Sequence, residues 1–193
     1  MTMASPTPCE SPSPVGGRVR PRTGVVVVAS TRAARGVYED RTGPILVGAL
    51  RDWGFVTGDP VVVADGSEVG EALRAAVADG PAVVLTSGGT GLTPTDTTPE
   101  ETLPLLDRVV PGIAESIRHA GVAKGVATAA LSRGLAGVAG RTLVINLPGS
   151  VGGVRDAIEV LEPLVAHAVE QIGGGDHPRH CAPSDGRAAG GGQ

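Results

Sequence analysis

The sequence predicts an α/β fold: one three-layer domain around a mostly parallel, doubly wound sheet. Three observations carry this expectation. Four short apolar runs rich in β-branched residues occur along the chain, and continuous runs of that length suit strands covered on both faces. Helix-length segments alternate with them, the pattern of a parallel sheet wound with helices. The 193 residues fit one domain of about 150 residues plus tails, and 41% hydrophobic residues supply a core without disulfide or metal support. Aromatics are only 2%, so Val, Leu, Ile and Ala must fill that core.

In chain order, residues 1–21 are rich in Pro, Ser and Gly with no apolar period, and are expected to form a disordered leader. The domain is expected over residues 22–173. Gly24–Ser30 (GVVVVAS) is its first strand. Asp40 and Thr42-Gly43-Pro44 can cap a helix near 41–53. Val61–Asp65 (VVVAD) is the second strand, and Asp65-Gly66-Ser67-Glu68 fits a capping box for a helix over 66–79. Ala82–Ser87 (AVVLTS) is the third. After it, Thr98-Pro99-Glu100-Glu101 fits a capping box for a helix over 98–109, within which Pro104 removes a backbone hydrogen bond and favours a kink or an early end. Leu143–Leu147 (LVINL) is the last strand. A helix over 150–172 follows, capped by Ser150 and bent at Pro163; Val151, Val154, Ile158, Leu161, Val165, Ala168 and Ile172 form one apolar stripe on it. Residues 174–193 read as a second disordered tail.

Composition narrows the function. A formal charge of −4 offers no nucleic-acid surface, so any phosphate site must be local. No stretch approaches a membrane span, and the start of the chain lacks an apolar signal core. The two cysteines, Cys9 and Cys181, lie in polar flanks, make no disulfide framework or zinc spacing, and fit a reducing cytoplasm.

In open parallel sheets, ligands bind beyond the carboxyl ends of strands. The most informative such segment runs from Thr86 to Glu100. Gly88, Gly89 and Gly91 permit positive φ and let backbone N–H groups approach an anion, while Thr90, Thr93 and Thr95 add hydroxyl donors. A glycine turn before a capped helix explains residues 98–101, but not a carboxylate, Asp96, placed inside an anion site. A second strand–turn–helix junction, Asn146-Leu147-Pro148-Gly149-Ser150, brings a helix N-terminus that suits a phosphate or serves simply as a capped start.

Gly88-Gly89-Thr90-Gly91 with Thr93-Pro94-Thr95-Asp96-Thr97-Thr98-Pro99 resembles the signature of the MoaB/Mog family of molybdopterin-binding proteins. The resemblance extends to Pro111-Gly112-Ile113-Ala114-Glu115, Leu131-Ser132-Arg133 and Asn146–Ser150, covering roughly residues 22–173. It implies molybdopterin adenylyltransfer from MgATP, releasing pyrophosphate, and a homotrimer that passes its product to a molybdenum insertase. It assigns catalysis and magnesium binding to Asp65 and Asp96. Gly88, Gly89, Thr90, Gly91, Glu115, Ser132, Arg133, Pro148, Gly149 and Ser150 are then expected to bind the pterin or its phosphate.

Each assignment has a plainer rival: helix capping for Asp65, a turn role for Asp96, a solvated side chain for Arg133, a structural ion pair for Glu115. Arg118 and Lys124 receive no role. Two departures from the family pattern stand out: Thr31 where an acid is more usual, and Val151-Gly152-Gly153 where a proline with a basic or polar residue is usual. The second functional reading is a non-catalytic carrier that keeps the pocket; retention of both Asp65 and Asp96 favours the enzyme. Related CinA-type proteins and molybdenum insertases share the loop but carry further domains, for which 193 residues leave no room.

Overall fold

The computed structural model describes residues 21–174. Except for Pro21 and Gly174 at their edges, the leader over 1–21 and the tail over 174–193 lie outside the described residues.

The elements, in chain order, are β1 (Gly24–Ala29), α1 (Thr31–Ala34), α2 (Gly43–Asp52), β2 (Val61–Val63), α3 (Ser67–Ala78), β3 (Val83–Ser87), α4 (Thr98–Thr102), β4 (Arg108–Val109), α5 (Pro111–Ala123), β5 (Ala136–Ala139), β6 (Thr142–Leu147) and α6 (Val151–Ile172). Short 3-10 turns occupy Leu103–Leu105 and Ala127–Leu131. The six-stranded sheet runs β2-β1-β3-β6-β5-β4. β2, β1, β3 and β6 are parallel, and β5 joins antiparallel to both β6 and β4.

Strand alternation divides the core between two helical layers. Val26 and Val28 of β1, Val83 and Leu85 of β3, and Leu143 and Ile145 of β6 point to one side. There they meet Leu46 and Leu50 of α2, Ile113 and Ile117 of α5, and Leu161 and Val165 of α6. Val27, Ala29, Val84 and Val144 point the other way, onto Val69 and Leu73 of α3. A side-chain period of two turns apolar runs into two cores. The expected three-layer, mostly parallel architecture is the one observed. Among the described residues, no helix is long and apolar enough to cross a membrane.

Several local expectations are corrected. The helix expected over 98–109 ends at Thr102, becomes a 3-10 turn containing Pro104, and gives way to the edge strand β4. Neither expected capping box supplies a side-chain cap to its helix. α3 starts from Gly66 at φ 103, and α4 starts after Thr97, with no side-chain cap bond at either. Part of the first box survives, since Glu68 reaches back to accept from the Ala64 N–H at 3.0 Å. α6 continues through Pro163, and Ser150 caps it by accepting from the Gly153 N–H at 3.1 Å. Asp40 accepts from the Thr42 and Gly43 N–H groups, both at 2.9 Å, opening α2 as expected.

Candidate functional site: a glycine-rich cradle beside an apolar cavity

β3 is buried along its whole length and delivers the chain to Gly88 and Gly89, at φ 96 and 62. L-residues with side chains avoid such angles. Close contacts add to the requirement: a Cβ on Gly88 would lie 2.2 Å from the Ala29 carbonyl oxygen, and one on Gly89 2.2 Å from Thr98 Oγ1. The Gly88 N–H donates to the Leu147 carbonyl at 3.1 Å, which ties this turn to the end of β6. From β6 the chain enters Pro148-Gly149-Ser150. Ser87 Oγ donates to the Pro148 carbonyl at 3.1 Å, and a Cβ on Gly149 would approach Gly88 Cα to 3.1 Å. The two turns therefore touch beyond the carboxyl ends of β3 and β6, beside the point where strand order reverses around β1.

The loop beyond Gly91 is organised around Asp96. Its Oδ2 accepts from the Thr93 N–H at 3.1 Å and the Thr93 hydroxyl at 2.6 Å. Arg133 holds the same loop from outside. Its Nε donates to the Gly91 carbonyl at 2.7 Å, and its other nitrogens bond the Asp96 carbonyl and the Glu100 carboxylate. The hydrogen bond from Arg133 holds the Glu100 carboxyl below its ordinary range. Glu100 is exposed, so this pair adds little stability, and what it adds is lost as pH falls through the carboxylate range. Below the loop, buried Asn146 donates to Thr86 Oγ1 at 3.1 Å and Thr102 Oγ1 at 2.9 Å, and accepts from the Leu135 N–H at 3.1 Å. That network fixes α4 and the 132–135 segment to the sheet.

These turns form one side of a cavity of ≈ 560 Å³, within the usual size of small-ligand sites. Gly88, Gly89, Thr90, Gly91, Asp96, Ser132, Pro148, Gly149 and Ser150 line it, as do Gly152 and Gly153. The opposite side is mainly apolar: Ile117 and Gly121 of α5, then Val126, Ala129 and Leu131. Two charged residues left without a role by the sequence contribute here. Arg118 lines the cavity while its Nη1 donates to the Ser132 and Gly134 carbonyls at 3.3 and 3.2 Å. Lys124 donates to Asp156, another lining residue, at 2.8 Å, and to Glu159 at 2.6 Å. These bonds, Asp156 first, hold the Lys124 ammonium above the ordinary lysine range.

Three expected site residues stand outside the cavity wall. Glu115 lines a separate shallow groove with Gly112, Ser116, His119, Ala120 and Val160. Arg133, expected to grip a phosphate, gives its guanidinium to the loop. Asp65, past the end of β2, accepts from the Thr31 N–H at 2.9 Å and the Thr31 hydroxyl at 2.7 Å. Its own N–H donates to Thr31 Oγ1 at 3.1 Å. The unusual Thr31 is thus the partner of Asp65 and holds it across β1 and β2.

The role of Arg133 is testable. Arg133→Lys keeps the charge but loses the planar fork. Faster amide exchange at residues 91–96 and roughly tenfold weaker ligand binding are expected. Unchanged exchange would show that the loop is ordered without it.

A doubly wound α/β domain with a glycine-rich turn and an aspartate on the wall of a largely apolar cavity has the form of a small-ligand-binding protein. Residues 25–167 match the family described as "Probable molybdopterin binding domain". The solved structure of the molybdopterin biosynthesis Mog protein from Mycobacterium ulcerans is 54% identical, covers 78% of this chain and 99% of that one, and superposes with a TM-score of 0.75. A molybdopterin adenylyltransferase of Helicobacter pylori is 35% identical over 76% of this chain and 85% of its own length. A molybdenum cofactor biosynthesis bifunctional protein of Synechococcus elongatus is 39% identical over 79% of this chain. The chain spans about half the length of that relative, 48%. This chain belongs to the MoaB/Mog family, whose work is molybdenum cofactor biosynthesis.

Proposed function

We propose that the chain is a molybdopterin adenylyltransferase, working in the cytoplasm as a homotrimer and passing its product to a molybdenum insertase. A terminal phosphate oxygen of the pterin forms a bond to the α-phosphorus of ATP. The bond from that phosphorus to the α,β-bridging oxygen breaks, and pyrophosphate leaves with the electron pair.

The observation that carries this reading is the matched tethering of Asp65 and Asp96. In each, one carboxylate oxygen is held by both the N–H and the hydroxyl of a single threonine. Among the described residues, no hydrogen bond falls on the other oxygen of either. Both side chains are therefore oriented while retaining an acceptor for a cation.

Among the described residues, no three acidic, histidine or cysteine side chains gather into a metal cage. Magnesium usually takes only one or two protein carboxylates, with phosphate oxygens and waters completing its shell. Asp65 and Asp96 would be the protein ligands of an ion carried in by the nucleotide, each through the oxygen that accepts no hydrogen bond among the described residues. When bound, magnesium neutralises phosphate charge and draws electron density from the α-phosphorus.

The chain supplies the positioning that dominates phosphoryl and nucleotidyl transfer. Backbone N–H groups of the glycine loop and the start of α6 seat the pterin phosphate. The apolar side of the cavity takes the ring and excludes water. Arg118 adds a positive charge.

One observation favours a second reading, a pterin-binding carrier: Asp65 is not part of the cavity wall. Purified protein given ATP, Mg²⁺ and molybdopterin separates the two. Release of pyrophosphate with formation of an adenylylated pterin supports the enzyme. Tight pterin binding with no nucleotide transfer supports the carrier.

A further inference from the structure

We infer that Asp156, pinned by Lys124, is the residue that recognises the ring of the bound ligand, and that it selects a 2-amino-4-oxo edge carrying two adjacent N–H donors. This inference rests on the pterin-binding reading above.

The cavity has two chemically distinct ends. The glycine loop and the Pro148–Ser150 turn lie at the N-terminus of α6, where a phosphate is stabilised. Gly152, Gly153 and Asp156 continue the wall along α6, so Asp156 lies about one helical turn farther in. Ile117, Val126, Ala129 and Leu131 supply the apolar surface beside it. A ligand with its phosphate in the cradle and its ring on that surface directs its far edge toward Asp156.

The carboxylate is arranged for such a contact. Its side chain is 18% exposed, so a partner there is largely shielded from water. Lys124 takes Oδ1 at 2.8 Å, orienting the group from outside the cavity wall. Among the described residues, Oδ2 accepts no hydrogen bond. The ammonium also offsets the cost of holding an anion in an apolar cavity, because a paired charge is far cheaper to desolvate than a lone one.

Chemistry then sets the selectivity. A carboxylate only accepts, so it complements a ring edge on which two neighbouring groups donate. The N3–H and 2-amino groups of a pterin form such an edge. A lumazine replaces the 2-amino group with a carbonyl, which faces the carboxylate with another acceptor. Adenine alternates donor and acceptor and fits no better.

The test uses two fluorescent probes, 6-hydroxymethylpterin monophosphate and 6-hydroxymethyllumazine monophosphate, titrated into wild-type protein by anisotropy. Wild type is expected to prefer the pterin by roughly tenfold or more. Asp156→Asn presents one donor and one acceptor, complementary to the lumazine edge, and is expected to reverse that preference while the melting temperature holds. Lys124→Ala is expected to weaken pterin binding, and Lys124→Arg to restore it. Equal affinity of wild type for the two probes, or an unchanged ratio in Asp156→Asn, overturns the assignment of Asp156 alone. Unchanged binding in Lys124→Ala removes the positioning role. If wild type binds neither probe, the pterin reading falls, and this inference with it.

Discussion

Asp96→Asn is expected to reduce pyrophosphate release by roughly 10²–10³-fold in kcat. The pterin should still bind to within about threefold of wild type. The change is nearly isosteric, so the bonds from Thr93 are expected to persist on the remaining carbonyl oxygen. What disappears is a full negative charge on the cavity wall, which the proposed reaction directs at the cation and the reacting phosphates. Charge at the α-phosphorus redistributes mainly in the transition state, and a residue that answers it affects kcat more than ground-state binding. Titration of the variant with a pterin probe, beside a steady-state pyrophosphate assay, separates the two effects. Equal losses of affinity and rate would make Asp96 a binding residue. Unaltered kcat would remove it from the reaction.

Gly88→Ala is expected to lose about 3 kcal/mol of stability, combining left-handed backbone strain with forced overpacking. The new methyl would stand 2.2 Å from the Ala29 carbonyl oxygen. Backbone cannot rotate away as a side chain can, so β1 or the turn must move. For a domain of this size the loss corresponds to a melting temperature roughly 10 °C lower. The cradle should open with it, because the Gly88 N–H is bonded to Leu147 and Gly149 packs directly on Gly88. Thermal melts and ligand titration check both effects together. A variant as stable and as tight-binding as wild type would show that this turn has slack the contacts deny. Gly48, whose Cβ would meet nothing within 4 Å, is the control position.

Signals local in sequence were legible, and those assembled by tertiary contact were not. The apolar runs that became β1, β2, β3 and β6 could be read directly, because burial on both faces leaves a continuous Val/Ile/Leu signature. The Gly88–Gly91 turn was equally plain, since three glycines among hydroxyl residues report backbone geometry. β5 was invisible: Ala136–Ala139 is four residues of Ala, Gly and Val, and it becomes a strand only through pairing with β6. α5 does carry local helix signals, namely Pro111 at its first turn and Ile113 and Ile117 four apart on the buried face. The next stretch of the same helix carries Arg118 and Gly121, both of which line the cavity.

The carboxylates show the same division. Asp65 looked like a cap because Gly66-Ser67-Glu68 follows it, yet its partner is Thr31, 34 residues away. Thr31 read as the loss of an acid, whereas its N–H and hydroxyl orient one. Asp156 sits off the apolar stripe of α6 and gave no pattern of its own. Only the approach of α5, bringing Lys124, makes it part of a site.

In the proposed reaction the Gly88–Thr97 loop, with Asp96, seats the pterin phosphate next to a magnesium-bound nucleotide. A crystal structure with the adenylylated pterin product tests it most directly. The bridging phosphates are expected against the Gly89–Gly91 amides and the Pro148–Ser150 turn, with Asp96 facing them and the ring inside the cavity. Phosphates found elsewhere, such as the α5–α6 groove beside Glu115, with the loop making no contact to ligand, would contradict it.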